Sequence, residues 1–186
     1  MTSALTLRPI RAVSYLNDPS GAGHVHVCGL GCEAEFSATA RPPRGPGYPR
    51  QGVALIENMG FTLAQLDALQ ADIVATYPGL PVRTARPLTE ALVREATERG
   101  ASTRRDPGIA LSARYLPETG RLEVEFRSET RSFDLGVFEE LARASAADLA
   151  EVEVTPIGGG LYFPRLGIGL SALMLFLGRF RRAPEE

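Results

Sequence analysis

A segment rich in proline and glycine, residues 41–50, divides the sequence and restricts where regular structure can form. Its prolines lack an amide donor, and its glycines lose more backbone entropy on ordering than other residues. The segment therefore suits neither a helix nor a central strand. We interpret it as a linker between an N-terminal segment, residues 1–40, and the remainder of the chain.

Alternating polar and apolar residues predict β-structure before the linker. Residues 24–28 read His-Val-His-Val-Cys, and residues 33–39 alternate again, which is typical of half-buried strands. A turn-forming run at residues 17–21 separates them from a loosely alternating strand at residues 5–16. The N-terminal segment is thus predicted to be a β-hairpin or meander.

Two helices are predicted within residues 51–106. Thr62 and Gln65 have the spacing of a capping box at the start of the first helix. Pro87 suits the first turn of the second helix, and Gly100 is expected to end it. The joint between the helices is long and contains several chain-breaking residues, which favours a packed helical hairpin over a helix-turn-helix motif.

Residues 107–182 are predicted to form a small domain with the order β-β-α-β-α. Two alternating strands, residues 109–116 and 121–127, flank a Pro-Glu-Thr-Gly turn. A short helix, a strand at residues 151–155 and a final helix at residues 170–180 follow. The whole chain is therefore predicted to be α+β, with an N-terminal β-hairpin or meander, a central helical pair and this C-terminal domain.

The end of this domain resembles a known bacterial family. A strand is followed by a glycine turn at residues 158–160, by Leu-Tyr-Phe-Pro at residues 161–164, and by Leu170-Ser171 at the start of the final helix. This order is similar to the ending of bacterial domain-of-unknown-function family 2442, with Phe163 in the position of the family's tryptophan. The resemblance covers residues 107–178.

The resemblance implies a small α+β domain, and no reaction is established for the family. Family members occur alone or fused to a helix-turn-helix segment in proteins regarded as regulators, which implies a regulatory or partner-binding role. The final helix of this chain is more apolar than the family pattern, and Gly167, Ile168 and Gly169 stand where the family has an acidic pair.

The final helix carries apolar residues around most of its circumference and must be covered on more than one side. We expect one face to pack within the domain and the other to pack on the N-terminal half or on a second copy of the chain. Burial within the monomer alone is the alternative. The chain is thus predicted to form a homo-oligomer or to bind another protein. The candidate interface residues are Leu173, Met174, Phe176, Leu177 and Phe180.

The sequence predicts a cytoplasmic protein that does not enter a membrane. Its most apolar stretch, residues 166–177, is shorter than the roughly 20 residues of a transmembrane helix. The first residues lack the basic and apolar parts of a secretory signal. A helix lying on a membrane surface would need a polar face, which the final helix lacks. The two cysteines are expected to be reduced thiols.

A short His/Cys segment is the candidate metal site. His24, His26 and Cys28 alternate on a predicted strand and would share one face, and Cys32 could fold back across the intervening glycines. Nitrogen and sulfur ligands in this number suit tetrahedral zinc, and four protein ligands would make the site structural. The spacing matches no familiar zinc motif, so the main prediction is no cofactor, with zinc as the alternative.

The chain contains no lysine, so all of its cationic Lys and Arg residues are arginines, and the formal net charge is -2. The overall charge gives no support for nucleic-acid binding, which usually accompanies a strongly basic domain. Local phosphate contacts remain an alternative to solvated surface side chains. The candidate nucleic-acid residues are Arg94, Arg99, Arg104 and Arg105.

No catalytic residues are predicted. Both histidines share a strand with Cys28, no Gly-x-Ser-x-Gly elbow is present, and the glycine run at residues 158–160 lacks the Gly-Lys-Ser/Thr of a phosphate loop. The leading prediction is a non-enzymatic binding or regulatory protein that acts through protein–protein association. The alternatives are a nucleic-acid-binding transcriptional or stress-response regulator and a zinc-stabilised structural protein.

Overall fold

The structure is a computed structural model that describes residues 11–13, 24–39, 52–76 and 85–179. Apart from Val13, the described residues up to Ala101 form one compact unit, and those from Ser102 onward form a second. We call these the N-terminal unit and the C-terminal unit. The predicted linker lies outside the described residues, as does most of the strand predicted at residues 5–16.

The N-terminal unit is built on a four-stranded sheet in which the strands follow one another in chain order. Leu30 and Gly31 join the second and third strands, and both have a positive φ (59° and 74°), as a tight two-residue hairpin turn requires. This hairpin confirms the predicted one. The strands are β1 (Arg11–Val13), β2 (His24–Gly29), β3 (Cys32–Thr39) and β4 (Gly52–Met59).

Strand β4 is not anticipated by the sequence pattern. It pairs antiparallel with β3, and the register shifts at a bulge between Glu35 and Phe36. Val53 and Leu55 are buried before the shift, and the next buried residue, Asn58, comes three positions later. The bulge therefore breaks the period-two alternation by which a strand is recognised.

Two helices complete this unit and share its core with the sheet. Helix α1 (Leu63–Thr76) begins after the predicted capping box, in which the Thr62 amide donates to Gln65 Oε1 at 2.9 Å and the Gln65 amide donates to Thr62 Oγ1 at 3.4 Å. Helix α2 (Glu90–Thr103) begins after Thr89, whose hydroxyl accepts from the Leu92 amide, so the prediction that it starts near Pro87 is wrong.

Gly100 lies inside α2 rather than at its end, which corrects the predicted boundary. The helix crosses β4 so closely that a Cβ atom on Gly100 would lie 2.6 Å from the backbone oxygen of Asn58. Glycine at this position therefore allows the close approach of a helix and a strand and does not act as a helix stop.

The C-terminal unit contains two three-stranded antiparallel sheets, of order β5-β6-β7 and β10-β9-β8, and three short α-helices. Among the described residues this confirms the α+β class. The elements are β5 (Ala110–Leu116), β6 (Arg121–Phe126), β7 (Thr130–Asp134), a 3-10 turn (Leu135–Val137), α3 (Glu139–Ala142), α4 (Ala146–Ala150), β8 (Glu153–Val154), β9 (Gly160–Phe163), β10 (Ile168–Ser171) and α5 (Ala172–Phe176).

Local signals predict much of this unit correctly. Leu122, Val124 and Phe126 lie on the buried face of β6, as their alternation indicates. Ser145 caps α4 and forms a capping box with Asp148, which is not among the features predicted from the sequence. The hydrogen bond from the Ser145 hydroxyl holds the pKa of Asp148 below its ordinary value.

The final helix is shorter than predicted. Leu170 and Ser171 pair with Leu161 and Gly160 of β9, so they end a strand, and α5 covers only Ala172–Phe176. The predicted helix of residues 170–180 is wrong at its start because this strand pairing uses the backbone groups that a longer helix would need.

The glycine turn before β9 connects three parts of the C-terminal unit. The carbonyl of Gly158 accepts from the Ala110 amide, and the carbonyl of Gly159 accepts from the Ala172 amide, both at 2.9 Å. The turn thereby ties β5 to the start of α5, next to a core that contains Leu161 and Phe163.

Within the described residues, no helix is both long enough and apolar enough to span a membrane.

Candidate functional site

Helix α5 is short but fixed at both ends. At its start, the Ser171 hydroxyl accepts from the Met174 amide at 3.3 Å. At its end, Gly178 adopts a positive φ of 65°, its amide donates to the Leu175 carbonyl, and the Arg179 amide donates to the Met174 carbonyl at 2.9 Å. This is the Schellman arrangement, which satisfies the last carbonyls of a helix.

The residues from Ala172 to Leu177 divide between two environments. Ala172 and Leu175 are fully buried in the core of the unit. Leu173 and Leu177 are 40% and 47% exposed, and they lie one helical turn apart, so their side chains share a side. We call these two residues the leucine pair. Met174 is half-buried, and Phe180 lies outside the described residues.

Phe176 packs into its own unit rather than joining the leucine pair. Its ring meets Phe126 edge-on with centroids 5.3 Å apart. It also lies so close to Gly108 that a Cβ atom on that residue would be 2.8 Å from Cδ1 of Phe176. The guanidinium of Arg131 lies 4.6 Å from the ring centroid and donates to the Phe176 carbonyl at 2.5 Å. These contacts anchor the end of α5 to β7.

The His/Cys segment does not assemble as one site. His24, His26 and Cys28 alternate with buried Val25 and Val27, so they share the face of β2 away from the core. Cys32 packs against the core of the unit, on the opposite face. The two-residue turn sets this geometry, because it pairs Cys32 with Gly29 and Glu33 with Cys28.

Each histidine of this segment has a carboxylate partner across the hairpin. His24 Nδ1 hydrogen-bonds Glu35 Oε1, and His26 Nδ1 lies 3.9 Å from an oxygen of Glu33, which is itself buried. Among the described side chains, no group of three or more histidines, cysteines and carboxylates is placed to hold a metal ion. Neither Cys28 nor Cys32 forms a disulfide.

The four candidate nucleic-acid arginines differ in their surroundings. Arg94 is exposed on α2, and Arg104 and Arg105 are exposed just beyond the end of that helix. Arg99 is used by the fold, because its Nε donates to the Ile56 carbonyl at 2.5 Å and its Nη2 donates to the Leu55 carbonyl. Arg99 thus caps carbonyls at the outer edge of β4.

Replacing Arg99 with alanine is expected to lower the free energy of unfolding of the N-terminal unit by about 1 kcal/mol, because it removes a charge-assisted hydrogen bond that is partly open to solvent. Denaturant unfolding of the full chain measures the change. Arg94→Ala, on the same helix, is the matched control and should leave stability unchanged. Equal unfolding of Arg99→Ala and the wild type would contradict this role.

Arg127 also contacts this segment, and sequence reasoning missed it because it lies far from Arg104 and Arg105 in the chain. It follows β6, and its Nη2 donates to the Arg104 carbonyl at 2.6 Å. No sequence periodicity signals this contact, which depends on how the segment before β5 folds back against the end of β6.

The C-terminal unit, as described, is a small α+β domain of two antiparallel sheets and short helices, the class that the sequence resemblance implies. Residues 110–180, which lie in this unit, match the model of the family described as "Protein of unknown function (DUF2442)". The match confirms the resemblance found in the sequence over nearly the same residues.

A crystal structure of a protein of unknown function from Rhodospirillum rubrum ATCC 11170 is similar to this chain at 32% identity. The similarity covers 39% of this chain and 88% of that one, with a TM-score of 0.36. No curated protein gives a significant match. A functional proposal must therefore be based on the surfaces of the molecule.

Proposed function

We propose that this chain is a non-enzymatic binding or regulatory protein that acts through protein–protein association, and that α5 associates with a second copy. The leucine pair carries the proposal. Among the described residues, four large apolar side chains are exposed, and two of the four are Leu173 and Leu177. Exposed apolar area is costly in water, and its concentration at one site is typical of an interaction surface.

A second copy is the favoured partner because the leucine pair is self-complementary. In a symmetric dimer the same patch meets itself, and two apolar side chains one turn apart pack against an identical pair without leaving a charge unpaired. The rigid capping of α5 supports this role, since a helix already fixed at both ends loses little entropy on association.

The compartment and the regulatory role belong to the same proposal. The absence of a disulfide at Cys28 and Cys32 fits the reducing cytoplasm of a bacterium. A regulatory role is what the family resemblance implied. The engagement of Arg99 by β4 leaves the nucleic-acid alternative without one of its predicted contacts on α2.

Replacing Leu173 with glutamate is expected to convert a dimer into a monomer. Two of the four leucine side chains at the interface would be replaced by carboxylates, and desolvating an unpaired charge is costly. The free energy of unfolding of the monomer should change little, because Leu173 is exposed. Multi-angle light scattering measures the mass, and circular dichroism confirms folding.

Leu111→Glu is the matched control. Leu111 is 50% exposed in the same unit but lies on β5, so this variant should remain a dimer. A monomeric wild type, or a Leu173→Glu variant that still dimerises, would contradict self-association through α5. Loss of the dimer in both variants would show that the interface is not confined to the leucine pair and would contradict its assignment to α5.

A further inference from the structure

The segment that precedes β5 is held against the end of β6. The Arg127 amide donates to the Ile109 carbonyl at 2.9 Å, and the Ser128 hydroxyl donates to the Pro107 carbonyl at 3.1 Å. The hydrogen bond from Arg127 Nη2 to the Arg104 carbonyl adds a side-chain contact. The guanidinium of Arg127 is thereby fixed beside the peptide that joins Arg104 to Arg105.

This placement sets the Arg127 guanidinium beside the backbone that leads into Arg105, and neither side chain has a neutralising carboxylate among the described residues. The side chains of Arg105 and Arg127 are exposed and form no ion pair in the part of the chain that the structure describes. Asp106, the adjacent carboxylate, forms no ion pair with them either. Like charges repel, so a cluster of this kind is stabilised when an anion binds to it.

Other arginines of the same unit are neutralised. Arg114 pairs with Glu123 at 2.7 Å, Arg143 with Glu139 at 2.8 Å, and Arg165 with Glu151 at 2.6 Å. The hydrogen bond from Arg165 lowers the pKa of Glu151. Arg105 and Arg127 differ from these three arginines in having no carboxylate partner among the described residues.

We propose that Arg105 and Arg127 form a phosphate-contacting site for the backbone of a nucleic acid. A guanidinium donates two parallel hydrogen bonds to a phosphate, and a polymer offers adjacent phosphates to two such groups. Because the net charge of the chain is -2, attraction is local, and binding is independent of sequence, weak and strongly salt-dependent. The site does not depend on association through α5.

Fluorescence anisotropy of labelled duplex DNA, titrated with the full chain at about 50 mM and about 200 mM salt, tests the site. Arg105→Gln/Arg127→Gln is expected to bind about tenfold more weakly at the lower salt, and the slope of log K against log salt should fall by about 2. Arg105→Gln alone, which leaves the hydrogen bond to Arg104 intact, should lose about half of that slope change.

The matched control is Arg114→Gln/Arg143→Gln, which removes the same charge from two paired arginines and should bind as the wild type does. An equal loss in this control, or no binding by the wild type at about 50 mM salt, would overturn the proposal. Displacement of the DNA by polyglutamate as well as by unlabelled DNA would assign the site to an acidic protein segment instead. Equal displacement by inorganic phosphate would limit it to a small anion. Leu173→Glu should retain binding, so the two proposals fail separately.

Discussion

Replacing Gly158 with alanine is expected to destabilise the C-terminal unit by about 3 kcal/mol. The φ angle of Gly158 is +89°, where a side chain is strained. A Cβ atom there would also lie 2.4 Å from Cγ2 of Ile109 and 2.6 Å from the carbonyl oxygen of Ala110. Ala110 cannot move away, because it pairs with Phe126 in β6 and its amide donates to Gly158 itself.

Denaturant unfolding measures this loss, and hydrogen exchange of the β9 and β10 amides assigns it to the C-terminal unit. Gly159→Ala is the control, because a Cβ atom on Gly159 meets nothing within 4 Å. Gly120→Ala, with a φ of +67° in open space, isolates the cost of the backbone angle, about 1 kcal/mol. The account would fail if Gly158→Ala were as stable as Gly159→Ala.

Replacing Gly100 with alanine is expected to destabilise the N-terminal unit by about 2 kcal/mol, although alanine is favoured over glycine in a helix by about 1 kcal/mol. The added methyl group would lie 2.6 Å from the Asn58 oxygen and 3.3 Å from its carbonyl carbon. These are backbone atoms of β4, so either the strand or the whole of α2 must shift. The clash therefore outweighs the gain in helix propensity.

Ala101→Gly provides the comparison. Ala101 is the next residue of α2 and is exposed, so this substitution costs the helix-propensity difference of up to about 1 kcal/mol. Helix propensity alone predicts that Gly100→Ala raises the free energy of unfolding and that Ala101→Gly lowers it. The packing at Asn58 predicts that both substitutions lower it. An increase in stability for Gly100→Ala would contradict the close contact.

The features that sequence predicts well are those in which the determining residues are neighbours in the chain. The capping box at Thr62 depends on groups three residues apart, and it is present. The buried face of β6 follows from the alternation of its own residues. In each case the physical cause lies within a single turn or strand.

The features that sequence misses are set by residues distant in the chain. The role of Gly100 depends on Asn58, and the irregular burial of β4 accompanies a bulge at Ile56, opposite Glu35 and Phe36 of β3. The position of Cys32 away from Cys28 depends on the exact length of one turn. Arg127, which joins the candidate phosphate site through Arg104, has no local signal at all.

The contacts of Arg99 bear on how this protein avoids aggregation. An outermost strand normally offers unsatisfied backbone groups to which another molecule can add a strand. On β4, the carbonyl of Val53 accepts from the Arg86 amide, and those of Leu55 and Ile56 accept from Arg99. A strand from another molecule would have to displace the Arg86 amide and the Arg99 side chain before it could extend the sheet there, so these contacts oppose fibril-like growth at β4.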